Sequence, residues 1–222
     1  MKKPFLLLAF VGLSLTAQTI DYKRAPNSYI FDTNLAQTNN YGGLYIPVKK
    51  AYEMWGNYEY LKTNGLPNPI PGGVQSASLF WEDNPGLISN VSIVAGTTPD
   101  LSLLKISIRK GKGNGNAVIA FKVNGQVYWS WHIWVTDNPS NGITYTQGFE
   151  TDNNLQPFAV QYMDRNLGAV TNNFLGNNWQ KSGGLLYQWG RKDPFPGLVY
   201  KDNDFYEISG EIGSLRHKQI DP

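Results

Sequence analysis

Ala117-Val118-Ile119-Ala120-Phe121-Lys122-Val123 and Gln126-Val127-Tyr128-Trp129-Ser130-Trp131-His132-Ile133-Trp134-Val135 are two apolar runs joined by Asn124-Gly125. Asn-Gly is the dipeptide best suited to a type I′ turn, so the stretch reads as a β-hairpin. A two-residue loop sets the register. It places Val123 opposite Gln126, Phe121 opposite Tyr128, Ile119 opposite Ser130 and Ala117 opposite His132. On the other face Lys122 meets Val127, Ala120 meets Trp129, Val118 meets Trp131 and Asn116 meets Ile133. Strict alternation makes Val127, Trp129, Trp131, Ile133 and Val135 the core face, with small partners leaving room for the indoles. Tyr128, Ser130, His132 and Trp134 form a half-polar face that keeps its rings. Tyr128, His132 and Trp134 are therefore expected to pack against a neighbouring domain or helix, with a ligand platform as the alternative.

Outward from the hairpin, strands are expected at Ser28–Phe31, Ser76–Trp81, Ser89–Val94 and Leu103–Arg109. Thr38–Gly43 reads as loop. Val48, Ala51, Tyr52 and Trp55 fall at helical spacing after Pro47, which predicts one short helix over Pro47–Asn57. Lys110–Asn116 is glycine-rich but lacks the Gly-Lys-Ser/Thr ending and the following helix of a phosphate loop, so it reads as a turn. Asp137–Gly142 breaks the pattern, and the stretch to Pro157 reads as a linker. Beyond it, Phe158–Met163 is expected as strand, Asn172–Gly184 as polar loop and Gly184–Gly190 as a strand or short helical turn.

At the N-terminus, Lys2-Lys3 precede an apolar run from Phe5 to Leu13 and a small-residue exit ending at Ala17. This is the pattern of a cleaved signal peptide, and the run falls short of the ~20 residues of a membrane span. Without Lys2 and Lys3 the 19 basic residues fall to 17, matching the 17 acidic ones. A neutral mature chain argues against a nucleic-acid partner. The chain has no cysteine, which excludes disulfides, a thiolate metal site, a cysteine nucleophile and a lipidated N-terminus.

Chemistry-bearing motifs are sparse. His132 and His217 have no metal-ligand spacing, and His132 reads as a sheet residue with an ordinary hydrogen-bond partner. No Gly-x-Ser-x-Gly elbow is present. Glu82, Asp83, Asp164, Asp193, Asp202 and Asp204 include the acids a two-carboxylate glycosidase would need, but read more simply as solvated loop acids. No cofactor is expected. Asp202-Asn203-Asp204 and Asp137-Asn138 offer oxygens to a structural Ca²⁺ without the full loop spacing.

Met163-Asp164-Arg165-Asn166-Leu167-Gly168-Ala169, followed by Gly184-Leu185-Leu186-Tyr187-Gln188-Trp189-Gly190-Arg191-Lys192-Asp193-Pro194-Phe195, resembles the opening of the Fibrobacter succinogenes major paralogous domain. That family is found in exported and fimbria-associated surface proteins of Bacteroidetes. The run Trp129–Asp137 resembles the β module that commonly precedes it. The resemblance implies a C-type-lectin-like second region at the cell surface with no established reaction. The family's closing Cys-Pro-x-Gly-Trp-type segment has no counterpart here.

The expected fold class is therefore mainly β: an Ig-like β-sandwich with one short helix, followed by a partial C-type-lectin-like α+β region. The expected divisions are a signal peptide over 1–17, a β-sandwich module over 18–147 and an incomplete lectin-like module over 148–222. The expected function is non-catalytic: adhesion, or a structural part of a surface appendage, in a secreted or surface-exposed protein without a mature membrane span. A carbohydrate-binding accessory module of a polysaccharide-use system is the alternative, and a glycosidase the third reading. The partner would be a surface glycan or protein, and the residues expected to meet it are Trp179, Tyr187, Trp189, Arg191 and Asp193.

Overall fold

A computed structural model describes residues 20–32, 41–58, 61, 65–139, 142, 144–147, 158–189, 191–196, 200–201 and 204–205. The expected signal peptide lies outside them. The protein is mainly β, with two principal sheets and one short helix beside them. Strands β1 (Ser28–Phe31), β3 (Gln75–Glu82), β6 (Gly115–Val123) and β7 (Gln126–Val135) form the first sheet in the order β1-β7-β6-β3. Only β1 runs parallel to its neighbour. Strands β2 (Tyr41–Pro47), β4 (Ile88–Val94) and β5 (Leu103–Arg109) form the second, antiparallel in the order β2-β5-β4.

One apolar core joins the two sheets. Ile119, Phe121, Trp129, Trp131 and Ile133 of the first pack in the same cluster as Ile46, Leu104, Ile106 and Ile108 of the second. Helix α1 (Lys49–Asn57) adds Ala51 and Trp55, the spacing that predicted it. Its Lys50 is also buried. The ammonium donates to the carbonyls of Lys23 (2.9 Å) and Ala25 (2.5 Å), and burial together with the Lys192 charge lowers its pKa despite Asp21.

The hairpin turn forms as expected, with φ of 51° at Asn124 and 79° at Gly125. The register departs from strict alternation. Lys122 pairs with Val127, but Phe121 pairs with Trp129, so Tyr128 is an extra residue in a β-bulge. Beyond it each pairing moves by one: Ala120 with Ser130, Ile119 with Trp131, Val118 with His132, Ala117 with Ile133. Trp129, Trp131, Ile133 and Val135 do face the core, but the two indoles lie opposite Phe121 and Ile119 rather than small residues. Tyr128 joins them there, against expectation, while Val127, Val118 and Ala120 lie with the second face. The cause is the insertion: a shift of one residue exchanges the faces of a strand. The displaced backbone is accommodated by α1, because Trp55 Nε1 donates to the Tyr128 carbonyl at 2.6 Å and the two rings meet edge-on.

Other boundaries also differ. Tyr41–Gly43 belong to β2 rather than loop. Gly43 can pair there because a β-carbon at this position would lie 2.5 Å from the Ile106 carbonyl oxygen. The stretch read as linker contains β8 (Thr144–Gln147), antiparallel to β9 (Phe158–Gln161). Asn172–Gly184 contains a 3-10 turn at Gly176–Asn178 and a short helix α2 (Trp179–Ser182). Leu185–Trp189 is not a strand; Leu186 makes a single bridge to Phe195. Strands β10 (Tyr200–Lys201) and β11 (Asp204–Phe205) form a two-residue ladder. Among the described residues no helix is long and apolar enough to cross a membrane.

Candidate functional site

The second face of the first sheet carries Phe80, Trp81, Val118 and Ala120, and residues 164–195 lie across it. Leu185 packs into this apolar patch. Trp134 Nε1 donates to the Ala169 carbonyl at 3.1 Å, and Asn114 Nδ2 donates to that of Val170 at 3.0 Å. His132 and Trp134 thus sit beneath the second region, whereas Tyr128 lies on the opposite, core side. Three polar clusters secure the contact.

In the first cluster, Asn116 gives its two amide protons to Asp83 Oδ2 (2.7 Å) and the Gly168 carbonyl (2.8 Å). Its amide oxygen therefore faces His132 Nε2 at 3.0 Å, which must be the donor. Neutral His132 then carries its proton on Nε2, and Nδ1 accepts from Ser28 Oγ at 3.2 Å. Burial holds the His132 pKa down to about 4, with Asp193 opposing and Lys192 reinforcing that shift. Burial also raises Asp83, against its bonds from Asn116.

The second cluster centres on Arg165, whose side chain is 2% exposed. It forks onto Asp137 (2.6 and 3.0 Å) and Asp164 (2.6 and 2.7 Å) and reaches Thr136 Oγ1 at 3.0 Å. These bonds raise the guanidinium pKa and hold the Asp137 carboxyl below its usual range. Both oxygens of Asp137, the acid of the Asp137-Asn138 loop, accept from Arg165. Asp202 and Asn203 lie outside the described residues.

In the third, Lys192 Nζ contacts Ser130 Oγ (2.6 Å), the Ser130 carbonyl (2.8 Å) and Asp193 Oδ1 (2.6 Å), while Ser130 Oγ donates to Asp193 Oδ2. Arg191 stacks 3.4 Å from the Phe195 ring centre and its Nε donates to the Asp193 carbonyl at 3.0 Å.

These contacts sort the residues expected to meet a ligand. Asp193 and Arg191 turn inward and clamp the 191–195 segment. Trp179 opens α2. Tyr187 is 52% exposed and Trp189 99% exposed, on the loop that the clamp and the Leu186–Phe195 bridge hold in place. A shallow hollow of about 560 Å³, which no motif in the sequence announces, is lined by Tyr162 and Phe174 together with Asp164, Asn166, Thr171 and Asn172. The acids expected as solvated loop residues are not simply solvated. Instead Glu82 accepts from the Gly86 and Ile88 amides, and Asp83, Asp164 and Asp193 are engaged as above. Spacing announces neither the Asp83–Asn116 nor the Asp193–Ser130 contact, whose partners lie 33 and 63 residues away.

Comparison of the chain with protein-family models, curated proteins and solved structures found no match in any of the three.

Proposed function

We propose that this chain is an exported, non-catalytic adhesion or appendage module, an Ig-like β-sandwich carrying a partial lectin-like region, and that Trp189 and Tyr187 meet its partner. The observation that carries this reading is the fully exposed indole of Trp189 on a loop anchored to the sheet through Asp193 and Lys192. A bare tryptophan forfeits ~2–3 kcal/mol of burial and is the residue type most enriched at the centres of interfaces. Two independent supports are the basic-then-apolar leader and the resemblance to exported surface proteins. Glu82, Asp83, Asp164 and Asp193, the described acids that the third reading would draw on, each accept hydrogen bonds within the fold.

The test is retention of the labelled chain on immobilised matrix proteins and on a glycan array. The Trp189→Ala/Tyr187→Ala variant should lose retention while keeping its thermal midpoint. Equal retention by both chains sinks the reading. N-terminal sequencing of extracytoplasmic material should begin at Gln18.

Carbohydrate binding is the second reading, and the hollow favours it. Two rings beside amides, a hydroxyl and a carboxylate form the mixed apolar and polar lining that a sugar face requires. Tyr162→Ala and Phe174→Ala should then abolish array signals that survive Trp189→Ala.

A further inference from the structure

A second cavity, of about 720 Å³, opens where three separate segments converge. They are the turn after β3, the glycine-rich connection before β6, and the wall formed by residues 168–184. The glycine-rich connection reads from sequence as an ordinary turn; in the fold it lines this cavity through Lys112, Gly113 and Asn114. We propose that the cavity binds an acidic sugar, a polyhydroxylated ring bearing a carboxylate.

The cavity is preorganised. Asn84 Nδ2 bonds the Lys112 and Asn114 carbonyls at 2.8 and 3.0 Å, and Asn114 Nδ2 bonds the Val170 carbonyl at 3.0 Å. These bonds stitch the three walls together before any ligand arrives. They also use amide protons and leave the amide oxygens of Asn84 and Asn114, joined on the wall by Asn178, as acceptors without a donor among the described residues. Hydroxyl groups are the donors such a row requires.

The second ground is charge. Lys112 and Lys181 stand on different walls, both exposed, and their ammonium groups make no hydrogen bond or ion pair to a described residue. The acid that shares the lining, Asp83, has both oxygens bound by Asn116, at 2.6 and 2.7 Å. Two unpaired ammonium groups beside a row of acceptors call for an anion that also carries hydroxyls. A bare anion would leave the amide oxygens unused, and a neutral sugar would leave the lysines unused. The site is separate from the Trp189 loop, so it stands or falls independently of the reading above.

The test uses the full chain, ¹⁵N-labelled, titrated with digalacturonate, with neutral galactobiose and with inorganic phosphate. Digalacturonate should shift the amides of Asn84, Asn114 and Lys181, bind roughly tenfold more tightly than either comparator, and weaken as salt rises. Lys112→Ala/Lys181→Ala should weaken binding by roughly tenfold at an unchanged thermal midpoint, since the backbone bonds stay and neither ammonium group has a bond to lose. Trp189→Ala should leave it unaltered. Shifts confined to other amides overturn the proposal, as do equal affinity for galactobiose, phosphate binding as tightly as the uronate, and indifference to loss of the lysines.

Discussion

Two buried indoles that look alike in sequence have opposite hydrogen-bond standing. Trp55 Nε1 donates to the Tyr128 carbonyl, while Trp131 Nε1 has no partner among the described residues. Trp55→Phe leaves that carbonyl unpaired, a loss of ~1–3 kcal/mol beyond the volume change. Trp131→Phe removes an unsatisfied donor along with its volume. In urea unfolding, Trp55→Phe should therefore be the more damaging by about 1–2 kcal/mol. His132 makes a pH prediction. Its folded pKa of about 4 lies below the ordinary 6.5, so the unfolded chain takes up the proton first. Its contribution is fully present above pH 6.5, declines as pH falls, and is lost below about 4, on the order of 3 kcal/mol in all. Asp83, raised by burial, works in the opposite sense and blunts the lower end of that window. Unfolding midpoints measured from pH 7 to 4.5 should fall steadily, and His132→Gln should flatten the slope.

At the scale of the element, the β6–β7 hairpin combines a specified turn with an irregular strand. Asn124 holds positive φ and also binds its surroundings: its Oδ1 accepts from the Val74 amide at 3.0 Å and its Nδ2 donates to the Gly72 carbonyl at 3.3 Å. Replacing Asn124-Gly125 by Val-Val forces two β-branched residues into the left-handed region, at ~1–2 kcal/mol each, and removes those bonds. A loss of about 3 kcal/mol or more in chemical denaturation is expected. The bulge has a counterpart in β3, where Phe80 is the extra residue between Leu79 and Trp81. In both strands adjacent aromatics end on the same side: Phe80 and Trp81 outward, Tyr128 and Trp129 inward. Insertion lets the sheet bury consecutive rings that alternation would separate.

For the molecule as a whole, the region from Tyr162 to Pro196 is tied to the first sheet more than to itself. Tyr162, Met163, Leu167, Phe174, Leu175 and Leu186 are exposed, while Leu185 is buried against Phe80 and Trp81. Arg165 is the strongest single tie. Arg165→Met should release the region by removing its bonds to Asp137 and Thr136 and leaving Asp164 uncompensated. Trypsin cleavage after Arg191 and Lys192 should then rise roughly tenfold, and Arg165→Lys should not restore protection, because an ammonium cannot reproduce the fork. Unchanged cleavage would place the anchorage in the Leu185 and Trp134 contacts instead.

By itself, the sequence determined the hairpin and its type I′ turn, the short helix, most strands of the two sheets and the inward face of Trp129, Trp131, Ile133 and Val135. All of these follow from local φ/ψ preference and from periodicities of two or 3.6 residues, which neighbouring positions carry. Tertiary structure alone decided the position of Tyr128, because the bond that stabilises the bulge comes from Trp55, 73 residues away. It likewise decided the partners of Arg191 and Asp193, which include the Phe195 ring and Ser130 on β7. The cavity at Lys112 and Lys181 is of the same kind. Its walls come from segments with no common pattern, and only the packing of residues 168–184 against the ends of β3 and β6 brings their charges and acceptors to one place.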